Sequence, residues 1–342
     1  MMETTYWKVQ REQNDQAIQQ AAALLGSGEL VAFPTETVYG LGADATNPEA
    51  VSKIFQAKGR PQDNPLIAHV ANRKQLERLV THIPEYVDKL IHTFTPGPLT
   101  FVLPSNGVCA NNVTAGLSTV AVRIPAHPAA LALIEAVDQP IAAPSANLSG
   151  KPSPTTAKHV QEDLDGKIAG ILDGGPTGVG LESTVLDCTK EYPVILRPGG
   201  VTRDEIDDIL HLKIPSVKKT NSEQQPMSPG MKYKHYAPDV PLWLVKGQTE
   251  EIQAVIKEEQ KKGNRVGLLA SSQMIEKLEA DHKRSLGDTI EAVAAGLYEG
   301  LRHFRQADVD ILICEAFPEK GIGQAVMNRL TKAATRSINR LQ

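Results

Sequence analysis

The chain has 342 residues, a formal net charge of −4 and a pI near 6.2. This length favours two domains, and the acidic balance argues against a broad electrostatic surface for nucleic acid, leaving room only for a local basic cleft. The 3 cysteines lack the paired spacing of a zinc site or a disulfide framework. The N-terminus is polar and no long apolar run occurs, so we expect a soluble, cytoplasmic protein without signal peptide or membrane helix.

The first predicted elements are a helix over residues 16–25 and a short buried strand over residues 28–34. The stretch TETVYGLG, residues 35–42, follows the strand. It combines two hydroxyls, a carboxylate and a tyrosine with glycines that let backbone amides approach a small ligand closely. The stretch is therefore either a ligand-binding loop or a structural turn.

The next helix begins at Asn47 as its N-cap and Pro48 as its first residue. It leads into AKGRPQDNPLIAH, residues 57–69, where Lys58 and Arg60 lie one residue apart. Prolines restrict this loop, and its cations can donate to an anion. The alternative is a solvated basic turn.

Polar residues then interrupt or end apolar strands. Arg123 interrupts the strand predicted over residues 118–125, so its charge requires either a ligand or a structural salt bridge. Ser145 and Asn147 follow an apolar strand, where open α/β sheets place ligand-binding loops. Two further strands carry Ser183 and Arg197, and a capping box over residues 202–205 begins the next helix.

These patterns predict an α/β protein with two domains. Residues 1–212 mix strands and helices irregularly, which indicates a twisted mixed sheet flanked by helices. Residues 213–238 lose apolar periodicity and form a linker, and residues 239–342 alternate strand and helix as in a small Rossmann-like domain, with a last helix over residues 323–337. That domain has neither GxGxxG nor GxxxxGK[ST], so no nucleotide is assigned to it by motif.

Four cations of the first domain can face a ligand with several negative charges, such as a triphosphate. They are Lys58, Arg60, Arg123 and Arg197. No Ser/His/Asp nucleophile arrangement is apparent in the sequence. Chemistry by positioning and charge stabilisation, as in nucleotidyl transfer, fits these residues better than covalent catalysis.

Several motifs, in order along the chain, resemble those of the YrdC/YwlC threonylcarbamoyl-AMP synthases in their two-domain form. They are FPTETVYGLG, AKGRPQDNPLIAH with its Lys58 and Arg60, the S-x-N of Ser145 and Asn147, ESTV, LRPG and HYAP. The resemblance covers essentially the whole chain. It implies a YrdC-like catalytic domain, a linker and a smaller C-terminal domain.

The resemblance also implies an activity. Such enzymes make L-threonylcarbamoyladenylate from L-threonine, bicarbonate and ATP and release pyrophosphate. The product serves to modify the adenosine next to the anticodon in tRNAs that read ANN codons. The implied partners are the enzymes that transfer the threonylcarbamoyl group to tRNA. Mg²⁺ is expected with ATP rather than at a metal site of the protein. From the acidic charge, we expect any direct contact with tRNA to be small or indirect.

The resemblance also implies which residues form the site, because the motif positions of the family can be matched to positions of this sequence. The catalytic residues would be Lys58, Arg60, Ser145 and Asn147. L-threonine would contact Thr35 or Thr37, His69, Arg123, Ala143 and Ser183. ATP would contact Lys58, Arg60, Asn64, Thr119, Ser145, Asn147, Ser153, Arg197 and Tyr236.

The linker segment SPGMKYKHYAP, residues 228–238, is rich in aromatic and basic side chains. We expect it to act as a lid that excludes water from the adenylate. The alternative is that these residues only pack the two domains together.

Two other functions fit parts of the sequence. One is an RNA-binding module without chemistry, against which the acidic pI counts. The other is a carbamoyl-adenylate-forming domain that uses carbamoyl phosphate, as in hydrogenase-maturation proteins. Those proteins carry acylphosphatase and zinc-finger segments that this sequence lacks.

Overall fold

The computed structural model describes residues 3–9, 15–215, 235–305 and 307–340. The strands of these residues are β1 (Thr5–Lys8), β2 (Val31–Phe33), β3 (Gly40–Asp44), β4 (Ile67–His69), β5 (Leu99–Pro104), β6 (Thr119–Arg123), β7 (Ile141–Ala142), β8 (Gly170–Asp173), β9 (Thr184–Asp187), β10 (Val194–Arg197), β11 (Leu242–Lys246), β12 (Val266–Ala270), β13 (His282–Ser285), β14 (Ile311–Glu315) and β15 (Arg336–Asn339). The helices are α1 (Asp15–Gly26), α2 (Pro48–Lys58), α3 (Arg73–Glu77), α4 (Glu85–Phe94), α5 (Asn111–Thr114), α6 (Pro128–Val137), α7 (Ala157–Leu164), α8 (Arg203–Leu210), α9 (Thr249–Lys261), α10 (Ser272–Lys277), α11 (Ile290–His303) and α12 (Gly323–Ala333). No helix among the described residues is long and apolar enough to cross a membrane.

The chain divides into two compact units. The first comprises residues 1–149, 154–178 and 182–232, and the second comprises residues 150–153, 179–181 and 233–342. The second unit therefore includes two short stretches that precede the linker in sequence.

The first unit contains a ten-stranded sheet in the order β1-β8-β2-β3-β7-β4-β6-β5-β9-β10. Parallel pairs such as β4 with β6 and antiparallel pairs such as β5 with β6 both occur, so the predicted mixed sheet is confirmed. Buried apolar side chains of the first unit form two large clusters and a smaller one made of strand residues. Helices supply residues to the two large clusters, so most residues of the strands that they cover are apolar, and the few polar ones stand out.

Helix α2 delivers the cationic loop. Asn47 caps its N-terminus by accepting from the amides of Glu49 and Ala50, as the sequence predicts. Gly59 ends it in the left-handed conformation with φ of 60°. This conformation favours glycine, and the resulting turn places Lys58 and Arg60 on either side of the helix end.

The second unit contains a five-stranded sheet in the order β13-β12-β14-β11-β15, and its strand pairs are parallel. The Rossmann-like prediction is confirmed. The predicted last helix is too long, because α12 ends at Ala333 and the chain continues as β15. Ser337 pairs with Leu244 of β11, so pairing along the open edge of the sheet outweighs the helical pattern of the sequence.

Candidate active site

Lys58 is a buried cation tied to the loop after β7. It is 4% exposed, and its Nζ donates to the carbonyl oxygens of Ser145 and Asn147 at 2.5 Å each. Within the loop, the Ser145 hydroxyl donates to Asn147 Oδ1 at 2.6 Å. Three of the four predicted catalytic residues are therefore in contact, although 87 positions separate Lys58 from Ser145.

Arg60 and Asn64 lie in the loop that follows α2. The Arg60 guanidinium donates to the carbonyl oxygens of Asn64 and Pro65 at 3.1 and 3.3 Å and lies 5.8 Å from the ring centroid of Phe55. Asn64 is fully buried, and its side-chain amide has no hydrogen-bond partner among the described residues. A buried amide in that state requires explanation, and a bound polar ligand supplies one.

Arg123, at the end of β6, is 3% exposed. Its Nε donates to the carbonyl oxygen of Gly97 at 3.2 Å, and one Nη donates to the Thr37 hydroxyl at 2.9 Å. The other Nη lies 2.6 Å from Glu36 Oε1. The charge that interrupts the apolar strand is thus balanced by a carboxylate of the TETVYGLG stretch.

The two candidate threonines of that stretch differ in their contacts. Thr35 closes a turn, because its hydroxyl donates to the carbonyl of Val38 at 2.6 Å and accepts from the Thr37 and Val38 amides. Thr37 is fully buried and its hydroxyl faces Arg123. Their hydroxyls lie 2.8 Å apart, so Thr35 orients Thr37.

His69 lies beside Arg123, because β4 and β6 pair in a register that sets the two residues opposite each other. Burial, followed by the positive charge of Arg123, lowers the pKa of His69 to about 3. The imidazole is therefore neutral near pH 7, with Nδ1 3.2 Å from the carbonyl oxygen of Ile67. Ala143, also predicted to contact threonine, is buried and donates its amide to the same carbonyl at 2.9 Å.

Ser183 and Arg197 form a third contact group. The Arg197 guanidinium donates to the Ser183 carbonyl at 2.9 and 3.2 Å and to its hydroxyl at 3.3 Å, and that hydroxyl lies 2.8 Å from Thr100 Oγ1. Both predicted residues are buried. Thr119, half-buried, opens β6 opposite Pro104, four residues before Arg123 on the same strand.

Ser153 and Tyr236 belong to the second unit and are buried there. The Tyr236 ring stacks on Tyr298 with a centroid distance of 5.5 Å, and the Arg329 guanidinium lies 5.6 Å from its centroid. The backbone of Tyr236 is left-handed, with φ of 67°. Residues 228–234 of the predicted lid lie outside the described residues.

Glu36 and His127 were not assigned a role from the sequence. Both oxygens of Glu36 are buried without a hydrogen bond from any described residue, although Arg123 is in ionic contact. Burial lowers the pKa of His127, an effect that the negative charge of Glu36 opposes, so the two residues are neighbours. The sequence contains the carboxylate, but no spacing rule links it to an arginine on a distant strand.

Among the described residues, no group of three or more His, Cys, Asp and Glu side chains could hold a metal ion. Apart from the Glu36 carboxylate, the polar groups described above are mainly cations, hydroxyls and amides, and such groups suit an anionic ligand.

Comparison with known proteins identifies the family. Residues 23–199 match the sequence model of the Sua5/YciO/YrdC family, described as telomere recombination, and residues 201–335 match that of the threonylcarbamoyl-AMP synthase C-terminal domain. The chain belongs to the threonylcarbamoyl-AMP synthase family. The Bacillus subtilis threonylcarbamoyl-AMP synthase is 53% identical over 97% of this chain and 98% of its own length.

Other synthases of the family are similarly close. The Pyrococcus abyssi threonylcarbamoyl-AMP synthase is 50% identical over 92% of this chain and 93% of its own length. A crystal structure of P. abyssi Sua5 complexed with L-threonine superimposes with a TM-score of 0.90 at 46% identity and covers 99% of each chain. The family resemblance read from the motifs is confirmed over both units.

Proposed function

We propose that this protein is an L-threonylcarbamoyladenylate synthase. It uses L-threonine, bicarbonate and ATP, releases pyrophosphate, and supplies the threonylcarbamoyl group for modification of tRNAs that read ANN codons. The observation that carries this conclusion is the 53% identity with a threonylcarbamoyl-AMP synthase along nearly the whole of both chains. The clusters of buried cations and hydroxyls support it.

Arg123 is the proposed site for the carboxylate of L-threonine. Its guanidinium is buried, and a buried cation binds a carboxylate strongly because water does not compete. Thr37 is the better candidate for a direct contact, because the Thr35 hydroxyl is used within the turn. Neutral His69, the backbone at Ala143 and the Ser183 hydroxyl complete the proposed threonine contacts.

Lys58, Arg60 and Arg197 of the first unit are proposed to bind the triphosphate, with Asn64, Thr119, Ser145 and Asn147 as further ATP contacts. In the reaction, a carbamate oxygen of the threonine adduct attacks the α-phosphorus and pyrophosphate leaves. Charge grows on the departing phosphates, and cations fixed beforehand stabilise it without reorganisation. Because Lys58 is already held by two carbonyls, its ammonium is preorganised for this role.

The structure offers no carboxylate cluster for a resident metal in the part of the chain that it describes. A Mg²⁺ ion would therefore be carried by the triphosphate, where it neutralises phosphate charge. The residues named above act on the substrate itself. We place the reaction in the cytoplasm, and the enzymes that transfer the threonylcarbamoyl group to tRNA would receive the product.

A pyrophosphate assay tests the proposed function. Purified protein is incubated with ATP and bicarbonate, with and without L-threonine. We expect pyrophosphate release to depend on L-threonine and to be much weaker with D-threonine or L-valine. Release that is independent of the amino acid would contradict the proposal. Release that requires carbamoyl phosphate instead would indicate the carbamoyl-adenylate-forming alternative.

A further inference from the structure

Glu36 forms a buried ion pair in which both partners retain unused hydrogen-bonding capacity. Its side chain is 14% exposed and that of Arg123 is 4% exposed, and Oε1 lies 2.6 Å from an Nη of Arg123. The contact between these two atoms does not have the geometry of a hydrogen bond. Neither oxygen of the Glu36 carboxylate accepts a hydrogen bond from any other described residue. Leaving such groups buried and unsatisfied is costly, so their retention points to a ligand that satisfies them.

His69, His127 and Thr37 are the groups whose interactions with this pair bear on its charge. His69, opposite Arg123 in the sheet register, is neutral near pH 7 because its pKa is lowered to about 3. His127 lies near Glu36, and burial lowers its pKa as well. Thr37 contributes a hydroxyl. The Glu36–Arg123 pair therefore presents one cation and one anion side by side, which complements the carboxylate and the α-amino group of an amino acid.

We propose that Glu36 binds the α-amino group of L-threonine while Arg123 binds its carboxylate. This inference rests on the proposed function and assigns the amine-binding residue of the same site. The amine and the carboxylate of an amino acid are attached to one carbon, so their protein partners must be close neighbours, as Glu36 and Arg123 are. Binding replaces the ion pair by two charge-assisted contacts with the substrate. It also orients the amine nitrogen, which must form the bond to the carbon of the carbamate.

Calorimetric binding tests this assignment without relying on turnover. The ligands are L-threonine and its analogue in which a hydroxyl replaces the α-amino group with the stereochemistry unchanged. We expect the wild-type protein to prefer L-threonine. In Glu36→Gln, affinity for L-threonine should fall by about tenfold to a hundredfold, as expected for loss of a hydrogen bond to a charged group. Affinity for the analogue should change much less, so the preference largely disappears.

The same calorimetric measurements can contradict the assignment of Glu36 to the α-amino group. If Glu36 acts only by holding Arg123, both ligands lose affinity equally in Glu36→Gln. If Glu36 instead competes with the substrate carboxylate for Arg123, both ligands bind more tightly. Either result, or unchanged L-threonine affinity, would overturn the inference. If the wild-type protein does not bind L-threonine, it is the proposed function that fails.

Two further variants keep the test interpretable. Glu36→Asp retains the charge on a shorter side chain and should keep the preference for L-threonine at reduced affinity, which also provides a test if Glu36→Gln does not fold. Glu29→Gln removes a carboxylate from a partly exposed ion pair with Lys53 and is the matched control. It should bind both ligands as the wild-type protein does.

Discussion

The ammonium of Lys58 has two roles. It donates to two carbonyl oxygens of the loop after β7, and it is proposed to bind the triphosphate. We predict that Lys58→Ala lowers the rate of threonine-dependent pyrophosphate release by about a hundredfold to a thousandfold, the effect of removing one preorganised donor. Steady-state kinetics at saturating substrates measures it.

The matched control is Lys53→Ala on the same helix. Lys53 is 40% exposed in its side chain and pairs with Glu29 at 2.7 Å, so its loss should cost no more than about 1 kcal/mol of stability and leave the rate near that of the wild type. Equal loss of activity in both variants would mean that α2 matters as a helix rather than through the Lys58 ammonium.

His69 leads to a prediction about pH. Its pKa is about 3 in the folded protein and 6.5 in the unfolded chain, so between these values the unfolded chain binds a proton that the folded protein does not. The free energy of unfolding should therefore fall as the pH falls through this window, by up to about 1.4 kcal/mol per pH unit from this group. Denaturant unfolding at several pH values measures the slope.

His69→Asn removes the titrating group and should flatten that slope, whereas the same substitution at the exposed His82 should not. Identical slopes in the wild-type protein and His69→Asn would show that the imidazole is accessible to protons in the folded state. The neutral state assigned to His69 would then be wrong.

Residue-scale predictions from the sequence succeeded where a residue is unusual in its local context. Arg123 stands out in an apolar strand, and the prediction that its charge requires a partner is confirmed by Glu36. Glu36 itself does not stand out, because a carboxylate in a loop is ordinary. Its partner is identified only by folding, which brings together two residues far apart in sequence.

At the scale of elements, the loop after β10 approaches the start of β9 so closely that a side chain cannot be accommodated. A Cβ at Gly199 would lie 2.3 Å from backbone atoms of Glu182, Ser183 and Thr184. We predict that Gly199→Ala lowers the free energy of unfolding by about 1–3 kcal/mol and weakens L-threonine binding, because the proposed contact Ser183 must move. Denaturant unfolding and calorimetry measure the two effects.

Gly178→Ala is the control for this substitution. A Cβ there would meet nothing within 4 Å, so stability and binding should remain close to those of the wild type. Normal L-threonine binding by a destabilised Gly199→Ala protein would separate Ser183 from the threonine site.

The N-termini of two helices were predicted accurately from the sequence. Asn47 and the capping box of Thr202 and Glu205 are local signals, and both caps are present. The last helix was predicted too long because β15 depends on pairing with β11, which is distant in sequence. Local chemistry thus determines where a helix begins, whereas sheet edges depend on the whole fold.

At the scale of the whole molecule, family membership excludes a role confined to RNA binding. This chain matches the models of both family regions, and two relatives that it matches along nearly their whole length are threonylcarbamoyl-AMP synthases. The net charge of −4 gives no broad electrostatic surface for nucleic acid, which agrees with an enzyme that acts on small molecules. The sequence predicted the family because its motifs are spread over the whole chain. The contacts of the predicted site residues, such as that of Arg123 with Glu36, are known only from the structure.

The most direct test of the proposed function is detection of the product itself. Protein, ATP, L-threonine and isotope-labelled bicarbonate are mixed, quenched rapidly and analysed by mass spectrometry. We predict an adenylate that contains threonine and the labelled carbon, formed in step with pyrophosphate and formed about a hundredfold to a thousandfold more slowly by Lys58→Ala. Pyrophosphate without this adenylate, or an adenylate that lacks the labelled carbon, would contradict the account.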